Sequence, residues 1–379
     1  PLMQNFTSEN AEYIGKRPYD VRELTDSMLI TINDRIGDGF SHQEFTAKHQ
    51  VAKDSGGFNF LQNPELASNF KVEDLVANHR RIGIKDNDII IAADFPIPRF
   101  TGLTKNDVAD RHKVSCDWFE QMHAEIPQTI PVIHGRTADE AIHHLNQYDI
   151  DNDIMVGFGS NLAQSTRRVM DRIGNANIKS ETTIVSKAKL WDVNLKTCEQ
   201  LRKEEKDFFL LGAGGMNAAK IATMLGAKCV DATSWRLNAM LRQLMDCESG
   251  RFIKVGKKNN LHKPWAANHM KKVWNTDSYP FSKAAGFTFK EMMDLLCSDG
   301  AGGTSARGLH NVWEQDQDAL ELSTYNDDPD GLYRHIMKQW NKTSYHHSMN
   351  KKVLEKAWNS RTGASQAGLF TNFHKVASS

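Results

Sequence analysis

The chain has 379 residues, with 47 Lys and Arg against 47 Asp and Glu, and 40% of its residues are hydrophobic. A chain of this length and composition can bury a full core as one large domain with additions. It contains no run of about eighteen apolar residues and no charged-then-apolar leader, so its pattern indicates neither a membrane span nor a secretory signal. We therefore expect a soluble protein of the cytoplasm, or of the host cytoplasm if the gene is phage-encoded.

Eight short apolar runs follow one another along the chain, most of them trailed by a stretch with helical apolar spacing. In chain order the runs are Met28–Asn33, Gln50–Lys53, Asp88–Asp94, Thr129–His134, Asp153–Phe158, Thr182–Ala188, Asp207–Gly212 and Ala227–Asp231. The expected helices are Val72–Ile82, Lys105–Ile126, Ala138–Asn146, Leu162–Ile173, Leu195–Lys206, Asn217–Leu225, Lys290–Leu296 and Leu309–Leu322. This rhythm predicts an α/β fold, a TIM (β/α)8 barrel, whose strand-end residues meet at one open rim.

Two regions exceed a simple barrel. The chain runs roughly sixty residues from Asp231 to the predicted closing helices, too far for an ordinary loop. We therefore interpret 1–330 as the barrel, including a basic insertion after strand 8 at about 246–285, and 331–379 as a basic helical C-terminal extension.

Basic residues concentrate in the C-terminal third. Arg251–Val273 holds seven Lys and Arg and no acid, and Gly331–Ser379 holds eight against Glu355 alone. Such segregation is typical of a surface that binds a polyanion, although a solvated helix face gives the same pattern. The candidate nucleic-acid contacts are Arg236, Arg251, Lys254, Lys257, Lys258, Lys263, Lys271 and Lys272.

The cysteines favour neither a disulfide framework nor a four-cysteine zinc site. There are five, an odd number, and no two form a Cys-x-Cys or Cys-x-x-Cys pair.

Two acids stand at strand ends in distinctive contexts. Asp54-Ser55-Gly56-Gly57-Phe58 is a carboxylate delivered by a strand into a tight glycine turn, a pentapeptide expected by chance in about one of several thousand such chains. Asp231 ends the eighth apolar run. The alternative for the pentapeptide is a turn with a capping aspartate and a core phenylalanine.

These segments resemble the tRNA-guanine transglycosylase superfamily, whose barrels carry a DSGG-aromatic motif after an early strand. The other similar segments, in the family's order, are Ile91-Ala92-Ala93-Asp94, Pro131-Val132-Ile133-His134-Gly135, Met155-Val156-Gly157-Phe158-Gly159, Leu210-Leu211-Gly212-Ala213-Gly214, Gly226-Ala227-Lys228-Cys229-Val230-Asp231 and His310-Asn311. The resemblance covers about residues 25–325, and its specificity lies in the order of the segments.

The chain departs from the family pattern in three places. His134 stands where the family usually has glutamine, and Lys228 replaces the earlier aspartate of the nucleophile strand. The family's Cys-x-Cys-x2-Cys…His zinc cluster is absent; its region offers only His262 and His269, with Cys247 and Cys297 at the wrong spacing. We therefore expect no metal and no other cofactor.

The resemblance implies exchange of guanine for a 7-deazaguanine such as a preQ0-like base at an intact sugar-phosphate backbone. Asp231 would be the nucleophile at C1′, and Asp54 the general acid and base for the departing and incoming bases. Asp94 would read N1–H and the exocyclic amine of guanine. The implied base pocket consists of Ser55, Gly56, Gly57, Phe58, Asp94, His134, Gly135, Gly157, Phe158, Gly159, Leu211 and Gly212.

The departures bear on which polymer is the substrate, DNA or tRNA. The missing zinc cluster and the rebuilt insertion favour DNA and the DNA-modifying branch, known from phages and bacterial modification clusters, with extrusion of the target nucleotide. The alternatives are tRNA as substrate, a phosphate-binding barrel acting on a small metabolite through Gly212–Gly215, and a non-catalytic nucleic-acid-binding subunit. Two residues of the implied pocket also have purely structural alternatives: Asp94 as a cap at the end of a strand, and His134 as a histidine of the core. The free bases are the small partners, and a homodimer is one option for assembly.

Overall fold

The computed structural model describes residues 27–32, 50–57, 60, 64–97, 103–159, 187–231, 234–256, 260–342 and 347–363. Its strands are β1 (Ser27–Thr31), β2 (Gln50–Asp54), β3 (Ile89–Ile91), β4 (Thr129–Ile130), β5 (Val132–Ile133), β6 (Val156–Gly159), β7 (Phe208–Leu211), β8 (Cys229–Val230), β9 (Gln243–Asp246) and β10 (Arg251–Lys254). Its α-helices are α1 (Val72–Ile82), α2 (Lys105–Glu125), α3 (Ala138–Leu145), α4 (Lys187–Lys203), α5 (Met216–Met224), α6 (Ser234–Met240), α7 (Pro264–Trp274), α8 (Phe289–Cys297), α9 (Gly300–Ser323), α10 (Pro329–Asn341) and α11 (Ser348–Thr362). A 3-10 helix at Pro64–Asn69 precedes α1.

The first eight strands are parallel and form two four-stranded sheets in chain order, β1-β2-β3-β4 and β5-β6-β7-β8. The sheets are contiguous in sequence at Pro131, which separates β4 from β5 because proline has no N–H to donate. Its carbonyl still accepts from the amide of Gly157, at 2.8 Å. The parallel α/β arrangement predicted from the apolar runs is thus confirmed.

The parallel strands of the two four-stranded sheets contribute side chains to two apolar clusters. One face of the strands packs on the helices, as Ile30, Val51, Ile90, Ile133, Val156, Phe158, Phe208 and Leu210 do. The opposite faces of both sheets share a smaller cluster, with Ala52, Ile91, Ile130, Val132 and Phe209 buried and Leu29, Ile89, Met155, Leu211 and Cys229 packed against them. We call this second set the inner cluster; it joins the two sheets through their side chains.

Two predicted strands differ from the structure where they can be compared. The expected run Thr129–His134 is divided at Pro131 into β4 and β5, which lie in different sheets. The second difference concerns the sixth run. Lys187 and Ala188 of the expected run Thr182–Ala188 belong to α4, and β6 pairs directly with β7. The run is rich in β-branched residues, but the helix is favoured by its buried positions Trp191, Leu195, Cys198 and Leu201, which recur at helical spacing. The expected helix Leu162–Ile173 lies outside the described residues.

The predicted insertion at about 246–285 contains an antiparallel hairpin and a helix. The hairpin pairs β9 with β10, and β9 begins at Gln243, before the expected boundary. α7 follows, with Pro264 in its first turn, and α8 and α9 come next; Thr288 caps α8 in a capping box with Glu291. α9 packs on α6, β9 and α8.

The C-terminal helices α10 and α11 pack on the helical layer rather than standing apart. α11 lies against α4 and α5, where Arg361 donates to the carbonyl of Thr223 at 3.0 Å and Lys356 pairs with Asp192 at 2.9 Å. Two basic residues of the expected extension, Arg361 and Lys356, therefore bind groups of the same chain. No helix in the described ranges has both the length and the apolarity needed to traverse a lipid bilayer.

Candidate functional site

The Asp54–Gly57 turn lies at the carboxyl end of β2 and is attached to the neighbouring strand. The hydroxyl of Ser55 donates to the carbonyl of Ala92, 2.8 Å away, just after β3. The amide of Gly56 donates to Oδ2 of Asp54 at 3.1 Å, and Gly56 has a φ of 83°, which favours glycine. The turn thus holds the Asp54 carboxylate in a half-buried position.

Asp94 and His134 form a buried pair at the ends of β3 and β5. Nε2 of His134 lies 2.6 Å from Oδ2 of Asp94. The two neighbouring glycines leave room for the pair, since a Cβ on Gly57 would overlap the Asp94 carboxylate and one on Gly159 would overlap the His134 ring. The segments that contain Gly57, Asp94, His134 and Gly159 are therefore in contact. One of the two carboxylate oxygens of Asp94 already pairs with the His134 side chain.

Two histidines that the sequence did not single out hold the backbone of His134. Nε2 of His112, on α2, donates to the carbonyl of His134 at 3.0 Å, and Nδ1 of His144, on α3, accepts from its amide at 3.0 Å. The two rings stack with centroids 3.9 Å apart. Burial lowers the pKa of His112 to about 4 and that of His144 well below its usual value, so both are neutral at physiological pH.

The glycine segments after β5 and along β6 bring backbone close to the site. A Cβ on Gly135 would overlap the first turn of α3, and one on Gly157 would come to 3.6 Å from Cδ1 of Leu211. Phe158 is fully buried on the helix-facing side, so this residue can offer the site its backbone but not its ring. Phe58 lies outside the described residues.

Asp231 is wrapped by the turn that follows β7. The amide of Gly212 donates to its Oδ1, and the amide of Gly214 donates to its carbonyl at 2.6 Å. Gly212 has a φ of 73°. Burial raises the pKa of the Asp231 carboxyl to about 6, although the Gly212 amide acts in the opposite direction. The side chain of Gln315, on α9, donates to the carbonyl of Gly214 at 2.9 Å and supports this turn.

The alternation of side chains along the strands places Asp54, His134 and Asp231 on a common face. Asp54 follows Ala52, His134 follows Val132 and Asp231 follows Cys229, each two residues beyond a member of the inner cluster. Because successive side chains of a strand point to opposite faces, these three continue the inner rows past the carboxyl ends of parallel strands. Lys53 has the opposite orientation: it is buried and pairs with Asp88 at 2.8 Å.

The expected nucleic-acid contacts differ in exposure. Lys254, Lys263 and Lys271 are exposed, whereas Arg236 is half-buried. Arg251 stacks over the ring of Trp265 at 4.7 Å. Lys272 pairs with Glu248 at 2.6 Å, which neutralises part of its charge. Lys257 and Lys258 lie outside the described residues.

The structure shows the surroundings of the residues that depart from the family pattern. Lys228 pairs with Asp207 at 3.6 Å at the opposite end of the strands from Asp231. All five cysteines are free thiols. Cys297 is half-buried and Cys247 buried, while His262 is exposed. Within the described ranges, His269 is brought instead to His310 and Glu314, a grouping that sequence spacing does not reveal.

The chain matches no model of a known protein family, and a search of curated proteins finds no similar sequence.

Proposed function

We propose that the chain is a guanine transglycosylase that exchanges guanine in DNA for a preQ0-like 7-deazaguanine through a covalent bond between Asp231 and the sugar. The observation that carries this proposal is the alternation that sets Asp54, His134 and Asp231 on one face at the carboxyl ends of parallel strands. These positions are those of the family motifs that the sequence resembles.

The proposal includes closure of the two sheets into a TIM barrel. The inner cluster supports this closure, because it is built from side chains of both sheets, from Leu29 on β1 to Cys229 on β8. In such a barrel the strand-end residues surround one mouth, where the chemistry of the fold takes place.

The reaction is a double displacement. The Asp231 carboxylate attacks C1′, a carbon–oxygen bond forms as the bond to guanine breaks, and Asp54 gives its proton to the departing base. The incoming 7-deazaguanine then attacks C1′, loses its ring N–H proton to Asp54 and releases Asp231. With a pKa of about 6, Asp231 is mostly ionised at neutral pH, as a nucleophile must be.

Base recognition is assigned to the Asp94–His134 pair. Both side chains are buried, and the His134 backbone is held on both sides by His112 and His144. A polar pair fixed in this way discriminates against bases that lack the matching hydrogen-bond groups, because an unmatched buried polar group is costly.

The choice of DNA depends on the resemblance and the basic surface. The exposed Lys254, Lys263 and Lys271 lie on the β9–β10 hairpin, next to α7 and on α7, the region that replaces the family's zinc cluster. Cations of this kind contact phosphates and make binding dependent on salt.

The contacts of Asp231 argue against a phosphate-binding barrel. A phosphate loop needs backbone N–H groups directed at the ligand. In the turn after β7 the amide of Gly212 donates to the Asp231 carboxylate and that of Gly214 to the Asp231 carbonyl. These two amides are therefore already engaged and are not directed at a ligand.

The test is base exchange with trapping of the intermediate. The protein is incubated with DNA or tRNA oligonucleotides and labelled guanine or 7-deazaguanine, and denaturing gels report label in the polymer and a covalent adduct. Asp231→Ala should abolish both. Asp207→Asn is the matched control, since this exposed acid lies at the other end of the neighbouring strand and should leave exchange unchanged.

Each outcome decides one part of the proposal. Exchange by Asp231→Ala at the rate of the unmodified protein overturns the role of Asp231. Label in tRNA alone overturns the choice of DNA. Absence of label from both polymers with every base tested overturns the transglycosylase itself.

A further inference from the structure

Three potential metal ligands converge where β9, α7 and α9 meet. They are His269 on α7 and His310 and Glu314 on α9, and one ligand atom of each lies within 4.8 Å of those of the other two. His310 and Glu314 are four residues apart, hence on the same face of α9. Nε2 of His269 lies 3.0 Å from Oε1 of Glu314.

We propose that His269, His310 and Glu314 bind a divalent transition-metal ion, with zinc as the first candidate. The site is separate from the Asp54 and Asp231 carboxylates, and its test does not depend on the proposed transglycosylase activity.

The spacing of the three groups suits such an ion. Zn–N bonds of about 2.0–2.1 Å put tetrahedral ligands about 3.3 Å apart. The ligand atoms of the three residues all lie within 4.8 Å of one another, and the His269–Glu314 separation of 3.0 Å would open slightly around an ion. Two imidazoles and one carboxylate match zinc and its first-row neighbours, whereas Mg²⁺ and Ca²⁺ prefer oxygen ligands alone.

The groups around the cluster orient the ligands. Nε2 of His310 donates to the carbonyl of Met245 at 2.9 Å, which leaves Nδ1 with the lone pair. The hydroxyl of Tyr279 lies 3.0 Å from that Nδ1, and the ion would take its place. Oδ1 of Asp246 lies 3.5 Å from Nδ1 of His269, the carboxylate–histidine arrangement that often stands behind a bound metal.

A cavity beside the cluster supplies an independent observation. Nε2 of His269 is buried and faces Oε1 of Glu314 at 3.0 Å, in a geometry that is poor for a hydrogen bond. The histidine side chain is only 9% exposed. It lines a cavity of about 100 Å³, together with Cys247, Thr276 and Glu314. This volume accommodates an ion and a water molecule as fourth ligand.

The surrounding charge favours a cation. Besides Glu314, the carboxylates of Asp246 and Asp318 are buried in this region, while Lys220 pairs with Asp318. The amide of Cys247 donates to Oε2 of Glu314 at 3.0 Å and fixes the carboxylate in the cluster. The competing arrangement is a protonated His269 in a buried ion pair with Glu314, which requires no metal.

Metal at this cluster would secure the helix that supports Asp231. Glu314 is adjacent in sequence to Gln315, whose side chain donates to Gly214 at 2.9 Å, and the Gly214 amide in turn donates to Asp231 at 2.6 Å. An ion bridging α7 and α9 therefore restrains the position of α9 beneath that turn.

The experiment measures metal binding directly. The full chain is stripped with a chelator, then exposed to Zn²⁺, Co²⁺ or Mg²⁺ and desalted, and bound metal is counted by elemental mass spectrometry. We expect one Zn²⁺ or Co²⁺ per chain, no retained Mg²⁺, a Co²⁺ visible spectrum of low-coordinate nitrogen and oxygen ligation, and a Tm that rises with Zn²⁺.

Variants separate the cluster from adventitious histidine binding. His269→Ala and Glu314→Gln should each lose the stoichiometric ion, the Co²⁺ spectrum and the Tm increase. His262→Ala, which changes an exposed histidine of the same region, should retain all three.

Three results would overturn the site: an unmodified chain that retains no Zn²⁺ or Co²⁺, a Co²⁺ spectrum of six-coordinate hydrated ion, or equal loss of metal in His262→Ala. The first of these means that the cluster is an ion pair only. Because the spectrum is recorded on unmodified protein, the test stands even if a cluster variant fails to fold.

Discussion

Nε2 of His134 lies 2.6 Å from Oδ2 of Asp94, although the two residues are forty positions apart and follow different strands. Both are buried, and the backbone of His134 is fixed by side chains from α2 and α3. A pair confined in this way keeps one geometry. Substitution of the neighbouring Gly57 or Gly159 would disturb that geometry and so tests its importance.

Gly159→Ala should impair the site more than the fold. The new Cβ would overlap the His134 ring and push it from Asp94, at a cost of about 1–3 kcal/mol in the free energy of unfolding. We expect base exchange to fall at least about tenfold, because small displacements of positioned groups are expensive in catalysis. Exchange rates and urea unfolding check the two effects separately.

Gly215→Ala is the matched control for this change. Its Cβ would meet nothing within 4 Å, and Gly215 has an ordinary φ of −68° before α5. If Gly215→Ala and Gly159→Ala reduce exchange equally, the confinement of His134 is not what the reaction requires.

Adduct formation should depend on pH through Asp231. Burial raises the pKa of this carboxyl to about 6, and only the ionised form is nucleophilic. The rate of covalent adduct formation should therefore fall towards tenfold per unit below about pH 6. Single-turnover trapping from pH 5 to 8 measures this, with DNA binding followed in parallel. A rate that stays constant down to pH 5 contradicts the assignment.

Asp231→Asn should stabilise the protein at neutral pH. A carboxyl whose pKa is raised on folding holds its proton more tightly in the native state, so its contribution to stability falls as the pH rises from about 4 to about 6 and is constant above that. Since the side chain is half-buried, we expect a gain of roughly 1–2 kcal/mol at pH 8 that vanishes near pH 2, where the acid is neutral in both states.

Urea unfolding at the two pH values checks the sign of this effect. Asp110→Asn, at an exposed position of α2, is the control and should change stability little at either pH. Destabilisation by Asp231→Asn at pH 8 would show that the charge of Asp231 is favourable in the native state.

The basic surface should account for part of the salt dependence of DNA binding. Replacing Lys254, Lys263 and Lys271 together by alanine should make the plot of log affinity against log salt less steep by about 2–3 units, the value for loss of three phosphate contacts. Fluorescence anisotropy with a labelled oligonucleotide at several salt concentrations measures the slope.

The control for this prediction uses three lysines that pair with acids on their own helices. These are Lys113, Lys203 and Lys290. Their replacement should leave the slope unchanged. An equal reduction by both triple variants would mean that binding responds to net charge rather than to this surface.

Much of the secondary structure followed from the sequence, because local patterns report local preferences. The limits of α1 are those predicted, and Thr104 and Thr137 cap α2 and α3 at the expected starts. The expected strand at Thr182–Ala188 is wrong at its last two residues, Lys187 and Ala188, which begin α4. The β-branched residues earlier in the run had favoured a strand, whereas the apolar face of the following helix decides the structure here. Phe158 belonged to a glycine-rich segment in the sequence, but strand alternation turned its ring towards the helices.

The sequence by itself located most of the strands and the polar residues that follow them, since apolar runs, glycine turns and acids are contiguous in the chain. Only the tertiary structure decided what these residues touch: His112 and His144 against His134, Gln315 against the turn around Asp231, and His269 against His310 and Glu314. These contacts join helices to strands across tens of residues. Their partners are set by packing and burial in three dimensions, for which spacing along one chain carries no signal.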